Sequence, residues 1–255
     1  MMLGAFLAYT FISILGWNYW LGAAAAIGCM FVIGNLVDRV VLRPVLGQPQ
    51  FSIVMVTIGF GYIARSVAGM VPGWGTETYA ISTPFSSEGM QILPQSMGSL
   101  VISQIDLSVI IATFLLCGIL YAFFTYTKLG VAMQASSQNQ LASYYMGIPV
   151  KSVFSMIWGI SAAVAAAAGI LLAPTTLIDT SMGFLGLKAF PAAVLGGFGS
   201  IPGAVVGGII IGIIETLAGF YLPPGFKNVA AYVVLLIVLV VRPQGLFGEK
   251  TGKRV

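Results

Sequence analysis

Apolar residues run through this sequence in long blocks, and polar residues or glycine–proline pairs interrupt them at roughly helix-length intervals. Eight apolar pieces separate in this way: residues 2–16, 19–37, 50–70, 105–127, 151–173, 188–200, 203–220 and 227–242. A helix rising 1.5 Å per residue needs about 20 mostly apolar residues to cross a hydrocarbon core about 30 Å thick. Seven pieces read as spans. The eighth, 188–200, is short, and reads either as a tilted short helix that crosses or as a re-entrant half-helix. The pattern predicts an all-α polytopic transmembrane bundle of about seven to eight spans, forming one domain over residues 1–255. Two longer polar interruptions stand out, at 71–104 and 128–151.

Composition strengthens this reading. The chain is 58% hydrophobic and 7% charged, against about 25% charged residues in a soluble domain. So few charges cannot cover a water-facing surface. The amino end has no basic residue before Arg39, so no secretory leader pattern is visible in the sequence as given.

The basic residues sort by side. Arg39, Arg43, Lys128, Lys151, Arg242, Lys250, Lys253 and Arg254 fall on one side if the pieces alternate, leaving Lys188 and Lys227 opposite and Arg65 within a span. The richer side is cytoplasmic by the positive-inside rule. Segment 71–104 then faces out, carrying Glu77, Glu88 and the turn formers Pro72, Gly73, Gly75, Pro84 and Pro94. It reads as a structured connection or as an outer contact surface. Trp17, Tyr19 and Trp20 mark an outer aromatic belt. With 188–200 crossing, both chain ends lie inside; with it re-entrant, one end moves.

Enzyme chemistry finds little to work with. The sequence has no histidine, and Cys29 and Cys117 lie apart within apolar blocks, where a thiol behaves as a small hydrophobe. No metal, cofactor or nucleic-acid motif is present. The glycines of AVLGGFGSIPGAVVGG (193–208) follow no strand and precede no phosphate-binding lysine. Intramembrane ionisable candidates are Glu215, Arg65 and, near a span end, Asp106. Glu215 is the strongest, as a functional group or as half of a structural ion pair. Small residues cluster at 22–26, at 161–169 and along Gly199, Gly203 and Gly207, with Ala204, Gly208 and Gly212 beside them. Such faces let helices pack closely in lipid.

The cytoplasmic interruption KLGVAMQASSQNQLASYYMGIPVK (128–151) is long enough for a helix of about four turns. Ala132, Ala135, Leu141, Ala142, Tyr145 and Met146 supply an apolar side, Gly147 a stop and Pro149 a break. An amphipathic connector and a docking helix for a cytoplasmic partner both fit this pattern.

This loop resembles the cytoplasmic coupling segment of ABC-importer permeases, with Lys128-Leu129-Gly130, Met133-Gln134-Ala135 and the Gly147-Ile148 step in place. The stretch KAFPAAVLGGFGSIPGAVVGGIIIGIIETL (188–217) resembles the signature of the branched-chain amino acid permease subunits. DRVVLRPVLG (38–47), VTIGFGYIARS (56–66) and MLGAFLAYT (2–10) fit the same family in order.

The resemblance implies a multi-pass permease of the bacterial inner membrane, paired with a second, related permease. It also implies two cytoplasmic ATPase subunits and an extracytoplasmic solute-binding protein, with ATP hydrolysed outside this chain and no cofactor. The implied ATPase contact is Gln134, Ala135, Asn139, Gln140, Ala142, Met146 and Gly147. Glu215, Gly196, Gly197, Gly199 and Gly203 are pathway or packing candidates.

Two departures follow. Relatives begin with a further span and an Asn-Phe-Ala-His-Gly-type motif ahead of the segment matching Met2, so the sequence as given reads as lacking the usual first span. Gln134, Asn139 and Gln140 stand where the coupling helix usually carries an arginine and acids, which implies docking through hydrogen bonds and shape. The alternative is a self-contained secondary transporter or channel, which would need ion-coupling residues near the midplane, and Glu215 alone answers to that.

Overall fold

Helices form where the apolar blocks predict them. The computed structural model describes residues 1–45, 50–75, 77–86, 88–91, 101–197, 199–223, 225–242 and 244–248. Pro94, Lys250, Lys253 and Arg254 lie outside these. Among the described residues five helices are long and apolar enough to cross a membrane, and Met2–Ile14 and Phe226–Val241 are shorter apolar helices. The chain divides into two compact units, Met1–Gly183 and Phe184–Val255.

In the first unit, α1 (Met2–Tyr9) continues through one π-helical stretch to Ile14. At 13 residues it reaches only about 20 Å, short of the hydrocarbon thickness. Next come α2 (Tyr19–Val37), α3 (Gln50–Met70), α4 (Gln104–Tyr126), α5 (Lys128–Gln138), α6 (Gln140–Tyr145) and α7 (Val150–Thr176). Helix α2 is prolonged by a π-helical stretch, Asp38–Leu42, and a 3-10 turn, Arg43–Val45.

Helices α2 and α7 form the backbone of this unit, packed antiparallel through small residues. A Cβ on Gly34 would stand 2.6 Å from the Trp158 carbonyl oxygen and 2.7 Å from the Ala162 Cβ. One on Gly159 would collide with the Asn35 amide. Gly4 of α1 is equally tight against Ala166, where an added Cβ would lie 2.5 Å from the Ala166 Cα. The cluster at 161–169 is therefore a helix-packing face, the arrangement small residues permit in lipid.

By contrast, α4 has no buried residue, and α3 and α4 leave Phe51, Ile63, Phe114 and Leu115 exposed. Lipid accepts such faces, where water would not.

The described part of segment 71–104 packs onto this unit. Strands β1 (Gly89–Gln91) and β2 (Val101–Ser103) pair antiparallel, Gly89 opposite Ser103. Trp74 Nε1 donates to Thr10 Oγ1 at 2.7 Å, and the Trp74 ring stacks on buried Phe6 at 5.2 Å. Tyr79 bridges to Ile178 just past α7. Desolvation, then the Glu77 charge and Tyr9, push the Tyr79 phenol above its ordinary pKa.

The second unit contains α9 (Ala189–Gly196), α10 (Ile201–Tyr221) and α11 (Phe226–Val241); α8 (Gly183–Leu187) precedes them. Helix α9 has 8 residues and covers only about 12 Å. It packs antiparallel along α10. Lys188, at its start, meets Glu215 near the end of α10 and Asn228 near the start of α11. At its other end, Leu195 and Gly196 carbonyls accept from Leu246 and Phe247, beyond α11. So α9 runs antiparallel to α10, and α10 antiparallel to α11, with Gly197 placed close to Gly245 and Gly248 beyond α11. The helix within the short piece, Ala189–Gly196, has the length of a half-helix.

Candidate functional site

The polar interruption 128–151 folds as two helices, α5 and α6, rather than one. Thr127 Oγ1 accepts from the Gly130 N–H at 3.0 Å and starts α5. Asn139 is extended, with φ −152° and ψ 100°, and its Oδ1 accepts from the Ala142 N–H at 3.0 Å to start α6. Asparagine favours this position because its side chain satisfies a free amide at a helix start.

Gly147, at φ +80°, ends α6. Its N–H donates to the Tyr144 carbonyl and that of Ile148 to the Ser143 carbonyl, both at 3.0 Å. This is the Schellman pattern, which needs a left-handed residue at this place.

The expected apolar side is not the buried one. Gly130, Met133 and Ser136 of α5 and Ser143 of α6 face inward. Gly130 packs against the backbone of Phe123 and Phe124, so close approach selects small residues there. Leu141, Tyr144, Tyr145 and Met146 are 67%, 69%, 77% and 82% exposed. Gln134, Asn139, Gln140 and Ala142 are exposed as well, and Ala135 is half-buried. Asn139 differs from Gln134 and Gln140 in that its Oδ1 is already engaged within the chain.

Beside α6 lies a charge cluster that the sequence did not reveal. Asp38 is buried. Its Oδ2 accepts from Ser155 Oγ of α7 at 2.5 Å and from Arg43 Nε at 3.3 Å. Arg43 Nη2 donates to Ser155 Oγ at 2.7 Å and to the Lys151 carbonyl at 3.4 Å. Residues five apart do not face each other on an α-helix. Here the π-helical stretch closes the i to i+5 bond between the same two residues, Arg43 N–H to Asp38 carbonyl, and that wider turn stacks their side chains.

A cavity of about 1040 Å³ opens beside this cluster, with Arg39, Arg43, Lys151, Leu36, Leu141 and Tyr144 among its walls.

Glu215 has its own partner. Lys188 Nζ donates to Oε2 at 3.3 Å and to Asn228 Oδ1 at 3.1 Å, and stands 3.2 Å from Oε1. Both charged side chains are largely buried, and Oε1 accepts no hydrogen bond. The trio joins α10 and α11 to the start of α9.

The glycines divide. Gly203 packs against Gly196, and Gly207 against the Ala192 carbonyl. Gly197, at φ +99°, lies against Gly245 and Gly248, and Gly199, at φ +91°, has open space where a Cβ would point. No group of three potential metal ligands occurs among the described residues.

Residues 1–241 match the family described as branched-chain amino acid transport system / permease component. The chain belongs to this family. It is 32% identical to the high-affinity branched-chain amino acid transport system permease protein LivH of Escherichia coli K12, over 100% of this chain and 85% of that protein. The LivH of Salmonella typhimurium is 31% identical over the same shares. The permease protein BraD of Pseudomonas aeruginosa is 30% identical over 98% of this chain and 83% of its own length. No solved structure matches the chain significantly. This branched-chain permease family member is thus a multi-pass inner-membrane protein, a transport component rather than an enzyme.

Proposed function

We propose that this chain forms half of the translocation pathway of an ATP-driven importer for branched-chain or related amino acids. The observation that carries the reading is similarity over the whole chain to relatives named as permeases of such systems. The second half is a related permease. Two cytoplasmic ATPase subunits supply hydrolysis, and an extracytoplasmic binding protein delivers the solute to the outer face.

The capped pair α5–α6 supports docking of the ATPases. It presents Gln134, Gln140, Ala142 and Met146 to solvent, while Asn139 and Gly147 hold its shape. Aromatic and methionine side chains such as Tyr145 and Met146 suit the centre of a protein contact, and no charge on α6 stands in the way. Motion of the ATPases then biases a two-state bundle through this element. Glu215, Gly196 and Gly203 serve packing of the second unit in this reading, and Gly197 and Gly199 shape the turn before α10.

Uptake of labelled leucine, isoleucine and valine, compared in cells with and without this chain, tests the substrate. Unchanged uptake of all three rejects the amino-acid assignment. Affinity purification of the tagged chain tests the assembly, with two ATPases and a second permease expected. Transport by the chain alone in ATP-free liposomes would overturn the importer reading and favour a self-contained transporter.

A further inference from the structure

We propose that the cavity between the inner end of α2, α6 and the start of α7 seats one anionic phospholipid of the cytoplasmic leaflet. The continuous helical stretch Tyr19–Val45 has 27 residues and is about 40 Å long, roughly 10 Å more than the hydrocarbon core. Its last turns therefore stand at headgroup level, on the side where the basic residues concentrate. Arg39 and Arg43 belong to those turns. Lys151 lies level with them, because Arg43 reaches its carbonyl.

Three cations thus line one cavity. The buried carboxylate beside them, Asp38, is already held by Arg43 and Ser155. Among the described residues, Arg39 and the Lys151 ammonium make no ion pair, and both residues are exposed. An excess of positive charge is left facing the opening.

The other wall is apolar. Leu36 and Val32, one and two turns deeper on α2, and Met156 of α7 line it. Val32 and Leu36 are exposed. Along one helix the lining passes from hydrocarbon-depth aliphatics to headgroup-depth cations. That gradient matches an acyl chain and a phosphate on one molecule, and basic pockets between spans on the cytoplasmic side bind such headgroups. An acidic peptide arriving from the cytosol would need the cations and not the aliphatic wall at hydrocarbon depth. The inference rests on the membrane orientation and not on the docking of any ATPase.

The test uses the full chain in neutral detergent with phosphatidylglycerol or phosphatidylcholine, and counts retained lipid by native mass spectrometry. Phosphatidylglycerol is expected to be retained and phosphatidylcholine lost. The double variant R39Q/K151Q weakens phosphatidylglycerol retention about thirty-fold, the effect of two basic groups each acting near an anionic headgroup. K227Q, on the outer side, leaves it unchanged. Equal retention of the two lipids, or full retention by R39Q/K151Q, overturns the proposal. So does displacement of the lipid by an equal concentration of glycerol phosphate, because the aliphatic wall would then contribute nothing.

A second variant does not depend on the cations. In L36W, added tryptophan emission is quenched by phosphatidylglycerol with brominated chains, and much less by brominated phosphatidylcholine. Equal quenching by both counts against the site. If R39Q/K151Q loses ATPase subunits in lipid-free detergent, the cations serve a protein contact and the lipid assignment fails.

Discussion

Ser155 of α7 donates its hydroxyl to the buried carboxylate of Asp38 at 2.5 Å, across 117 positions of sequence. That bond, with Arg43 closing over it, locks the end of α2 to the start of α7, the two most closely packed spans. Ser155→Ala removes the donor and is expected to cost about 1.5–3 kcal/mol, the range for a hydrogen bond to a charged group. Arg43→Gln costs about 2 kcal/mol, below the roughly 3–5 of a fully buried broken pair because Arg43 is part-exposed. Unfolding by denaturant in micelles, read by circular dichroism, measures both, and equal stability of all three proteins would refute the account.

The Lys188–Glu215 pair separates a structural role from a transport role. Glu215→Leu strands the Lys188 ammonium in an apolar setting and is expected to destabilise by about 2–3 kcal/mol. The double variant K188M/E215L regains most of that loss, because buried pairs are commonly replaceable by apolar residues. If the pair only staples helices, the double variant transports; if Glu215 handles solute, it folds but does not.

Glycine substitutions contrast closed and open sites. Gly34→Ala and Gly159→Ala drive a methyl into the facing helix, and each is expected to cost about 1–3 kcal/mol, as overpacked cores do. Gly208→Ala and Gly212→Ala meet nothing within 4 Å and gain helix propensity of about 1 kcal/mol. Melting temperatures of the four variants should fall into two pairs.

At Gly147 the constraint is backbone rather than space. Nothing lies within 4 Å of a built Cβ there, so Gly147→Ala costs only the left-handed conformation, about 1 kcal/mol. Gly147→Asn costs less, since asparagine tolerates that region. ATPase co-purification is expected to drop for the alanine variant and to recover partly with asparagine.

Tyr145→Ser and Met146→Ser remove exposed apolar surface. Stability should change by less than about 0.5 kcal/mol, as for most surface substitutions. ATPase retention should fall for both. Unchanged retention would remove these side chains from the docking surface.

The apolar blocks made the helices legible nearly residue by residue, since lipid demands length and apolarity that little else imitates. Three features escaped. The break at Asn139 lies in a run of adequate helix formers, and only its side-chain cap marks it. The Asp38–Arg43 pairing depends on a π-helical stretch, so α-helical spacing points the two apart. The buried side of α5–α6 carries Gly130, Met133, Ser136 and Ser143 rather than the apolar run of α6, and at Gly130 the near approach of the Phe123–Phe124 backbone requires a glycine. For Glu215 the sequence narrowed the options to function or ion pair, and Lys188 became visible as its partner once α9 was seen to run back along α10.

The single extended residue between α5 and α6 has a mechanical consequence. Helix α5 is fixed by Gly130 and Met133, whereas α6 hangs between two joints, Asn139 and the Gly147–Pro149 bend. In the proposed docking, a load on α6 would turn it about the first joint and reach α7 through the second, at the start of that span and close to the Asp38–Ser155 bond. The segment would then act as a crank rather than a strut.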